Sequence, residues 1–261
     1  MKRLLVAAGR LAALVLLCGL ALQLYFLARV ALMIAVDPQS TTFQRSELWR
    51  LLRDHHSVTW SQQWRPYAQL GTPIKRAVIA SEDARFADHS GVEWDALEAA
   101  WERNQRAQAR ADKLDEQARK RAARKNPDAD RPAPKPATVK VVGGSTITQQ
   151  LAKNLFLSGE RSFVRKGQEY VITLMLEGLL PKQRILEIYL NNVEWGEGLF
   201  GAQAAARHYF HVDADRLDTM QAARLAVMLP APKRFEKRSA SPYVLDRAAT
   251  IAARMGDAEL P

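Results

Sequence analysis

The chain has 261 residues, enough for one sizeable domain and an additional segment. It carries 38 Lys and Arg against 28 Asp and Glu, a net charge of +10, which is typical of proteins that meet nucleic acid, an anionic membrane surface or an anionic substrate. None of the common nucleic-acid-binding motifs appears in the sequence, so no nucleic acid is predicted as a partner. The single cysteine, Cys18, excludes a disulfide within the chain and a zinc site of paired cysteines.

A long apolar segment begins the chain. Residues 11–28 carry no charge, Arg10 and Arg29 flank them, and apolar residues resume up to position 36. Roughly 20 apolar residues span the hydrocarbon core as a helix. The sequence therefore predicts a single-pass anchor within residues 1–36, with a cytoplasmic N-terminus because basic residues precede the segment. A cleaved signal peptide is the alternative, but its apolar region should be shorter and end at an A-x-A-like site, which is poorly matched at positions 27–29.

Residues 37–71 form a polar connection with four Phe and Trp side chains, and two interpretations of it remain open. Short helices near the bilayer are one, since Trp is favoured at membrane interfaces. Ordinary packing against the following domain is the other. The Phe and Trp residues are Phe43, Trp49, Trp60 and Trp64.

The next segment, residues 74–84, has the period of a helix, with Ile74, Ala77 and Val78 on one face. Glu82 and Asp83 are predicted near its C-terminal end.

A highly charged stretch follows. Residues 99–125 are strong helix formers with almost no apolar stripe, a pattern typical of a solvent-exposed or marginal helix. Residues 126–137 contain four prolines and predict an extended linker.

The run at residues 143–154 is almost entirely small, polar or cationic. Its two glycines let a ligand approach closely, its hydroxyls and amides are hydrogen-bond partners, and Lys153 is a point charge. This mixture suits a polyhydroxylated, anionic ligand such as a sugar phosphate. The alternative is a loop that leads into a helix N-cap at Ser145 or Thr146.

The remainder of the chain predicts helices. From residue 164 an apolar stripe of Val171, Leu174, Met175 and Leu179 is expected, and Pro181 begins a second helix. In that second helix the inward-facing residues are predicted to be Ile185, Ile188 and Tyr189. No convincing alternating strand is visible, so the predicted fold class is mainly α.

Four stretches in this order resemble the motifs of the peptidoglycan glycosyltransferases, glycosyltransferase family 51. They are residues 82–91, the polar run at 143–154, Arg165-Lys166-Gly167-Gln168-Glu169 and residues 185–191. The resemblance covers roughly residues 72–232 and implies a lysozyme-like helical domain with a smaller membrane-proximal lobe. Any one motif alone would be a weak signal, and four in order are a strong one.

The resemblance also sets the expected domains. Residues 72–235 would be the glycosyltransferase domain and residues 236–261 a C-terminal tail. Residues 101–139 look like an insertion, at the place where the family has a mobile flap over its cleft; a solvated insertion without a role is the alternative. The stretch at residues 191–196 and the lack of an S-x-x-K motif resemble the stand-alone enzymes, which have no transpeptidase domain.

The resemblance implies catalytic roles for two glutamates. Glu82 would be the base that deprotonates the GlcNAc 4-hydroxyl of lipid II; a surface glutamate at a helix end is the alternative. Glu169 would lie near the donor's pyrophosphate. A divalent cation, Mg²⁺ or Mn²⁺, would suit carboxylate and phosphate oxygens there, although no cofactor is predicted to be obligatory. Glu177 and Glu187 are nearby alternatives to Glu169, and Glu187 is expected to make a structural salt bridge.

The resemblance further implies substrate contacts from polar and cationic side chains. Lys153 and Arg161 match the family's phosphate-contacting cations, although a solvated cationic helix face is the alternative. Phe86 is expected to pack, and His89 to make structural hydrogen bonds. The predicted substrate-binding residues are Asp83, Arg85, Ser145, Thr146, Gln149, Gln150, Lys153, Asn154, Arg161, Arg165 and Lys166, with Thr148 as a further hydrogen-bonding candidate.

Together these observations predict a glycan-chain polymerase in the bacterial inner membrane, with a periplasmic catalytic domain. Its expected partners are lipid II, a lipid-linked glycan chain, the bilayer and other cell-wall synthases. Two functions of other classes remain open. A glycan hydrolase could use paired carboxylates on a similar fold, but would have no pyrophosphate for the cations to hold. A non-catalytic membrane scaffold would instead use the basic insertion.

Overall fold

The structure is a computed structural model that describes residues 2–55, 58–125, 144–157 and 162–261. Two compact units contain them. The first consists of residues 1–91 and 146–261, and the second of residues 92–145. The predicted site residue Arg161 lies outside the described residues.

Helices make up most of the described chain, which confirms the mainly α prediction. The α-helices of the described residues are α1 (Lys2–Leu32), α2 (Thr42–His55), α3 (Thr72–Glu82), α4 (Trp94–Lys125), α5 (Ile147–Phe156), α6 (Phe163–Leu179), α7 (Lys182–Asn192), α8 (Ala202–Phe210), α9 (Thr219–Met228), α10 (Pro232–Phe235) and α11 (Pro242–Arg254).

A small sheet accompanies the helices of the first unit. Its strands are β1 (Ser61–Gln62), β2 (Glu194–Gly196) and β3 (Leu199–Phe200), in the order β1-β3-β2. β1 runs parallel to β3, with Ser61 opposite Leu199, and β2 runs antiparallel to β3. The sequence did not predict these strands because each is only two or three residues long and both β2 and β3 are buried on both faces.

Helix α1 is the one described helix long and apolar enough to cross a membrane, and it is compatible with a single-pass anchor. Its C-terminal part packs on other helices of the first unit. The side-chain amides of Gln23 and Gln168 exchange hydrogen bonds of 2.8 and 3.0 Å, and Phe26 meets Phe156 edge-on with ring centroids 5.3 Å apart. These contacts bring α1 against α6 and α5.

The core of the first unit forms where α3 packs against α9 and α11. Ile74, Ala77 and Val78 of α3 are fully buried, as the periodicity predicted. Residues 236–261, expected to be a tail, include α11, and this helix adds Val244 and Ile251 to the core.

Two of the four residues predicted for the apolar stripe of α6, Met175 and Leu179, are half-buried and pack against the core; the other two are wrong. Val171 and Leu174 are exposed, whereas the buried residues of this helix are Glu169, Ile172, Thr173 and Leu176. A polar pair lies within the buried face because cations neutralise the Glu169 carboxylate and the Thr173 hydroxyl donates to the Glu169 carbonyl at 2.8 Å. Counting apolar residues misidentified the face because two of its buried side chains are polar.

Helix α7 has the predicted orientation. Pro181 is its N-cap, and Ile185, Ile188 and Tyr189 are buried. Glu187 is structural, as expected: it accepts a hydrogen bond from Arg184 at 2.5 Å and another from the backbone N–H of Tyr67 at 3.1 Å.

Of the Phe and Trp residues between α1 and α3, three pack against the protein, and one remains available for the membrane-interface interpretation. Trp60 stacks on Phe200 with ring centroids 4.6 Å apart, and Phe43 meets the same ring edge-on. Trp64 lies under the guanidinium of Arg184. Trp49 is 71% exposed on α2, so it alone of the four keeps a largely solvent-exposed side chain.

The second unit contains α4, which begins at Trp94, five residues before the predicted start. Asp95 in its first turn complements the positive end of the helix dipole. Along the helix, Glu102 and Arg106 pair at 2.8 Å with i,i+4 spacing. A helix of this composition and exposure agrees with the polar helix that the sequence predicts.

Candidate active site

Glu82 is the last residue of α3 and lies beside the middle of α5. The Gln150 side-chain N–H donates to its Oε2 at 2.9 Å, and the Ser81 hydroxyl lies 3.5 Å from its Oε1. Burial raises the pKa of the Glu82 carboxyl, and these two hydrogen bonds oppose that rise. The carboxyl is therefore a better proton acceptor than an exposed glutamate at the same helix end would be.

Asp83 joins the end of α3 to the start of α5. Its Oδ2 accepts from the backbone N–H of Ile147 at 3.0 Å, and its Oδ1 lies 2.7 Å from His89 Nε2. The backbone N–H of Gly91 donates to His89 Nδ1 at 3.1 Å, so Nε2 carries the imidazole proton and donates to Asp83. His89 therefore makes structural hydrogen bonds, as predicted.

A turn at Gly91 closes this region. Gly91 has φ of +85°, and a Cβ at this position would lie 2.7 Å from Thr173 Cγ2 and 2.8 Å from Glu177 Cγ. Only glycine fits such a position without strain. Its carbonyl accepts from the Thr146 hydroxyl at 2.7 Å, which ties the turn to the start of α5.

Helix α5 begins with a capping box. Thr146 is the N-cap, its hydroxyl accepts from the Gln149 N–H at 3.2 Å, and the Gln149 side chain accepts from the Thr146 N–H at 3.3 Å. The N-cap interpretation of this run is thus confirmed at Thr146. Thr148 is fully buried and donates to Glu177 at 2.5 Å.

A cluster of charged side chains lies further along α5 and on α6; we call Lys153, Arg165, Lys166 and Glu169 the cation cluster. Glu169 is 3% exposed and accepts from Arg165 Nη1 at 2.7 Å and from Lys166 Nζ. Three cations against one carboxylate leave a net charge of +2. The buried Nε of Arg165 has no hydrogen-bond partner among the described residues.

The ammonium of Lys153 belongs electrostatically to this cluster. Desolvation lowers its pKa, and Glu169 opposes this change. Repulsion from Arg165 and Lys166 lowers the pKa further. An anion that entered the cluster would relieve this repulsion.

Helix α5 connects the candidate base with the cation cluster. Gln150, which contacts Glu82, and Lys153 are three residues apart and lie on the same face of the helix. Three residues of α-helix rise about 4.5 Å. The proton-accepting carboxylate and the net positive cluster are therefore neighbours along one helix face.

The structure also describes four other predicted residues. Arg85 is exposed in the turn after α3, Phe86 is fully buried as expected, and Asn154 and Ser145 are half-buried. The substrate contacts assigned to these and the other binding residues stay predictions.

The sequence underestimated Tyr189, which it identified only as an inward-facing core residue. The Tyr189 hydroxyl donates to Gln150 Oε1 at 3.0 Å. A buried tyrosine needs a partner for its hydroxyl, so a Tyr on an otherwise apolar helix face was the available signal.

Comparison with known proteins agrees with this geometry. A family model described as Transglycosylase matches residues 51–131 and 132–256. A biosynthetic peptidoglycan transglycosylase of Burkholderia pseudomallei is 51% identical over 242 residues, which cover 93% of this chain and 83% of that protein. One of Paraburkholderia xenovorans with the same name is 47% identical over 252 residues, covering 96% of this chain and 92% of the relative.

Proposed function

The chain belongs to the transglycosylase family and is a peptidoglycan glycosyltransferase, and from that premise we propose that it polymerises lipid II with Glu82 as general base. The growing glycan on undecaprenyl pyrophosphate is the donor, and the GlcNAc 4-hydroxyl of lipid II is the acceptor. The observation that carries the proposal is that Gln150, which contacts the Glu82 carboxylate, and Lys153, a member of the cation cluster, share one face of α5.

The reaction needs a proton acceptor and a site for the departing charge. Glu82 takes the proton of the acceptor hydroxyl as that oxygen attacks C1 of the donor sugar from the face opposite the pyrophosphate. The C1–O bond to pyrophosphate breaks, the α linkage becomes β-1,4, and undecaprenyl pyrophosphate leaves. Fixed positive charge stabilises a leaving anion most where water is excluded.

The cation cluster suits that leaving group. Its net charge of +2 attracts an anion, and Arg165 Nε, which has no hydrogen-bond partner among the described residues, is a donor for a phosphate oxygen. A glycan hydrolase would have no anion to place there. The cluster therefore favours transfer over hydrolysis.

A bilayer position is the second part of the proposal, with the catalytic domain on the periplasmic face. Gln168 of α6 pairs with Gln23, which lies inside the apolar segment of α1. The first two residues of α6, Phe163 and Val164, are 98% and 85% exposed. Exposed apolar side chains beside a membrane-crossing helix are stabilised when they enter the boundary between the lipid headgroups and the acyl chains. Both lipid-linked substrates are confined to the same leaflet.

A protein-held divalent cation does not fit the cation cluster. Mg²⁺ and Mn²⁺ prefer several oxygen ligands, whereas Glu169 is the only carboxylate of the cluster. Both of its oxygens accept from cationic side chains, Arg165 and Lys166. No step of the proposed reaction passes through a metal ion.

Incubation of the detergent-solubilised full chain with lipid II tests the proposal. Polymer is expected from lipid II, and no soluble fragments are expected from finished peptidoglycan. Glu82→Gln should abolish polymerisation, whereas Glu259→Gln, an exposed glutamate on the C-terminal segment, should leave it unchanged. Fragments from finished peptidoglycan, or turnover by Glu82→Gln, would contradict the assignment.

A further inference from the structure

Three side chains form a hydrogen-bonded series that begins in the core and ends at the candidate base. The hydroxyl of Tyr189, which is 1% exposed on α7, donates to Gln150 Oε1 at 3.0 Å. The amide of the same glutamine donates through Nε2 to Glu82 Oε2 at 2.9 Å. The series thus links the hydrophobic core to one oxygen of the Glu82 carboxylate.

The two ends of the Gln150 amide are not interchangeable in this arrangement. An ionised carboxylate only accepts hydrogen bonds, so the amide must present its NH₂ group to Glu82. If the amide flipped, its oxygen would face the carboxylate, and the phenolic proton of Tyr189 would lose its acceptor. A buried donor without an acceptor is unfavourable.

The protonation state of the Tyr189 phenol supports this orientation of the Gln150 amide. Burial raises the pKa of Tyr189 well above its ordinary value, and the charges of Glu82 and Asp83 raise it further. The hydroxyl is therefore neutral at any working pH and remains a donor toward Gln150. In the hydrogen bond between them, Tyr189 is therefore always the donor and Gln150 Oε1 the acceptor.

The Glu82 carboxylate gains two properties from the series. Its Oε2 accepts the 2.9 Å hydrogen bond from Gln150, whereas Oε1 has only the longer contact of 3.5 Å with the Ser81 hydroxyl, so Oε1 is the oxygen better placed to accept the proton of an incoming hydroxyl. The hydrogen bond also favours the ionised form, which opposes the effect of burial. A base must be ionised before it can act, so both properties matter for the reaction.

We propose that Tyr189 is a positioning residue for the transfer reaction: through the amide of Gln150 it fixes which oxygen of Glu82 receives the proton. The inference rests on the proposed role of Glu82 as the base. The Tyr189 hydroxyl donates to the glutamine and is proposed to act on Glu82 through that amide.

The test is the pH profile of lipid II polymerisation by the full chain and its Tyr189→Phe variant. Without the phenol the Gln150 amide oxygen loses its donor, so the amide is held at one end only and its hydrogen bond to ionised Glu82 weakens. The acid limb of kcat/KM is then expected to move upward by roughly 0.5–1 pH unit, with kcat reduced about tenfold. An unmoved acid limb overturns the proposal.

The matched control is Tyr209→Phe. The Tyr209 hydroxyl donates to the Trp195 carbonyl at 2.8 Å, so this variant also loses one phenolic hydrogen bond, but away from Glu82. Its acid limb should coincide with that of the parent protein. If both variants shift the limb equally, the effect is a general loss of stability and the positioning role is wrong.

A double-mutant cycle separates action through the amide from a direct effect. In a Gln150→Leu background, Tyr189→Phe should produce no further shift, because the amide that it orients is gone. If the two substitutions shift the acid limb additively, Tyr189 does not act through Gln150 and the proposal is overturned. If Tyr189→Phe fails to fold, Gln150→Leu alone must move the acid limb upward, and an unmoved limb overturns the proposal. Lack of polymer from the parent chain would instead reject the proposed function.

Discussion

The carboxylate of Asp83 accepts a hydrogen bond from the backbone N–H of Ile147, 3.0 Å away across the junction of α3 and α5. The residue that follows the candidate base is thereby attached to the first turn of the helix that carries Gln150 and Lys153. An acidic side chain is favourable at this place because the N-terminal end of a helix carries partial positive charge. The two halves of the site are thus held together by a residue that is 4% exposed.

Asp83→Asn should weaken both the fold and the activity. The amide keeps one acceptor but loses the charge that faces the start of α5 and His89. A decrease in the free energy of unfolding of about 1–3 kcal/mol is expected, together with slower lipid II polymerisation. Melting temperature and turnover measure the two effects. Asp88→Asn, an exposed position in the same turn, is the control, and equal behaviour of the two variants would contradict the role given to Asp83.

The site could be predicted from the sequence only where residue type and spacing carry the information. The capping box at Thr146 and Gln149 follows from four consecutive positions, and the buried face of α3 from its period. The hydrogen bond from Tyr189 to Gln150 joins residues 39 apart in the sequence, and no local pattern encodes it. The buried face of α6 was misidentified for a related reason, because Glu169 is buried only with the two cations beside it.

Lys166→Ala should slow glycan transfer. Lys166 contacts Glu169, and its loss removes one of the three positive charges of the cation cluster. Removal of one group that stabilises a developing charge costs roughly 10- to 100-fold in kcat at a partly exposed site. Initial rates of lipid II consumption measure the effect, with Lys237→Ala as the exposed control. If these cations only form a solvated helix face that binds no ligand, the two variants should have equal rates.

Stability should depend on pH through Glu194, a 6%-exposed carboxyl on β2. Burial, together with the charge of Glu47, raises its pKa to about 7 against the lowering effect of Lys233 and Arg50. The Lys233 Nζ lies 3.6 Å from Oε1, too far for a good hydrogen bond. Between the ordinary pKa of 4.5 and about 7, the folded state binds more protons than the unfolded state, so stability falls as the pH rises.

Glu194→Gln should therefore stabilise the protein relative to the parent chain at pH 8 and much less at pH 5. The difference in the free energy of unfolding between these two conditions is expected to reach up to about 3 kcal/mol. Melting temperatures at both values check it, because pH effects from all other groups cancel between variant and parent. A pH-independent difference would show that Glu194 titrates at its ordinary pKa.

Deletion of residues 101–137 should leave lipid II polymerisation intact. These residues include most of α4, which belongs to a compact unit separate from the one that contains Glu82 and the cation cluster. Glu82, Gln150 and Lys153 make their described contacts within the first unit, so the deletion removes none of these groups. A Gly/Ser segment in place of the deleted residues keeps the chain ends joined. The initial rate should stay within about threefold of the parent rate, and Glu82→Gln in the shortened chain should abolish it. Loss of polymerisation in a shortened chain that still melts cooperatively would assign residues 101–137 a direct part in the reaction, and a scaffold function would then have to be reconsidered.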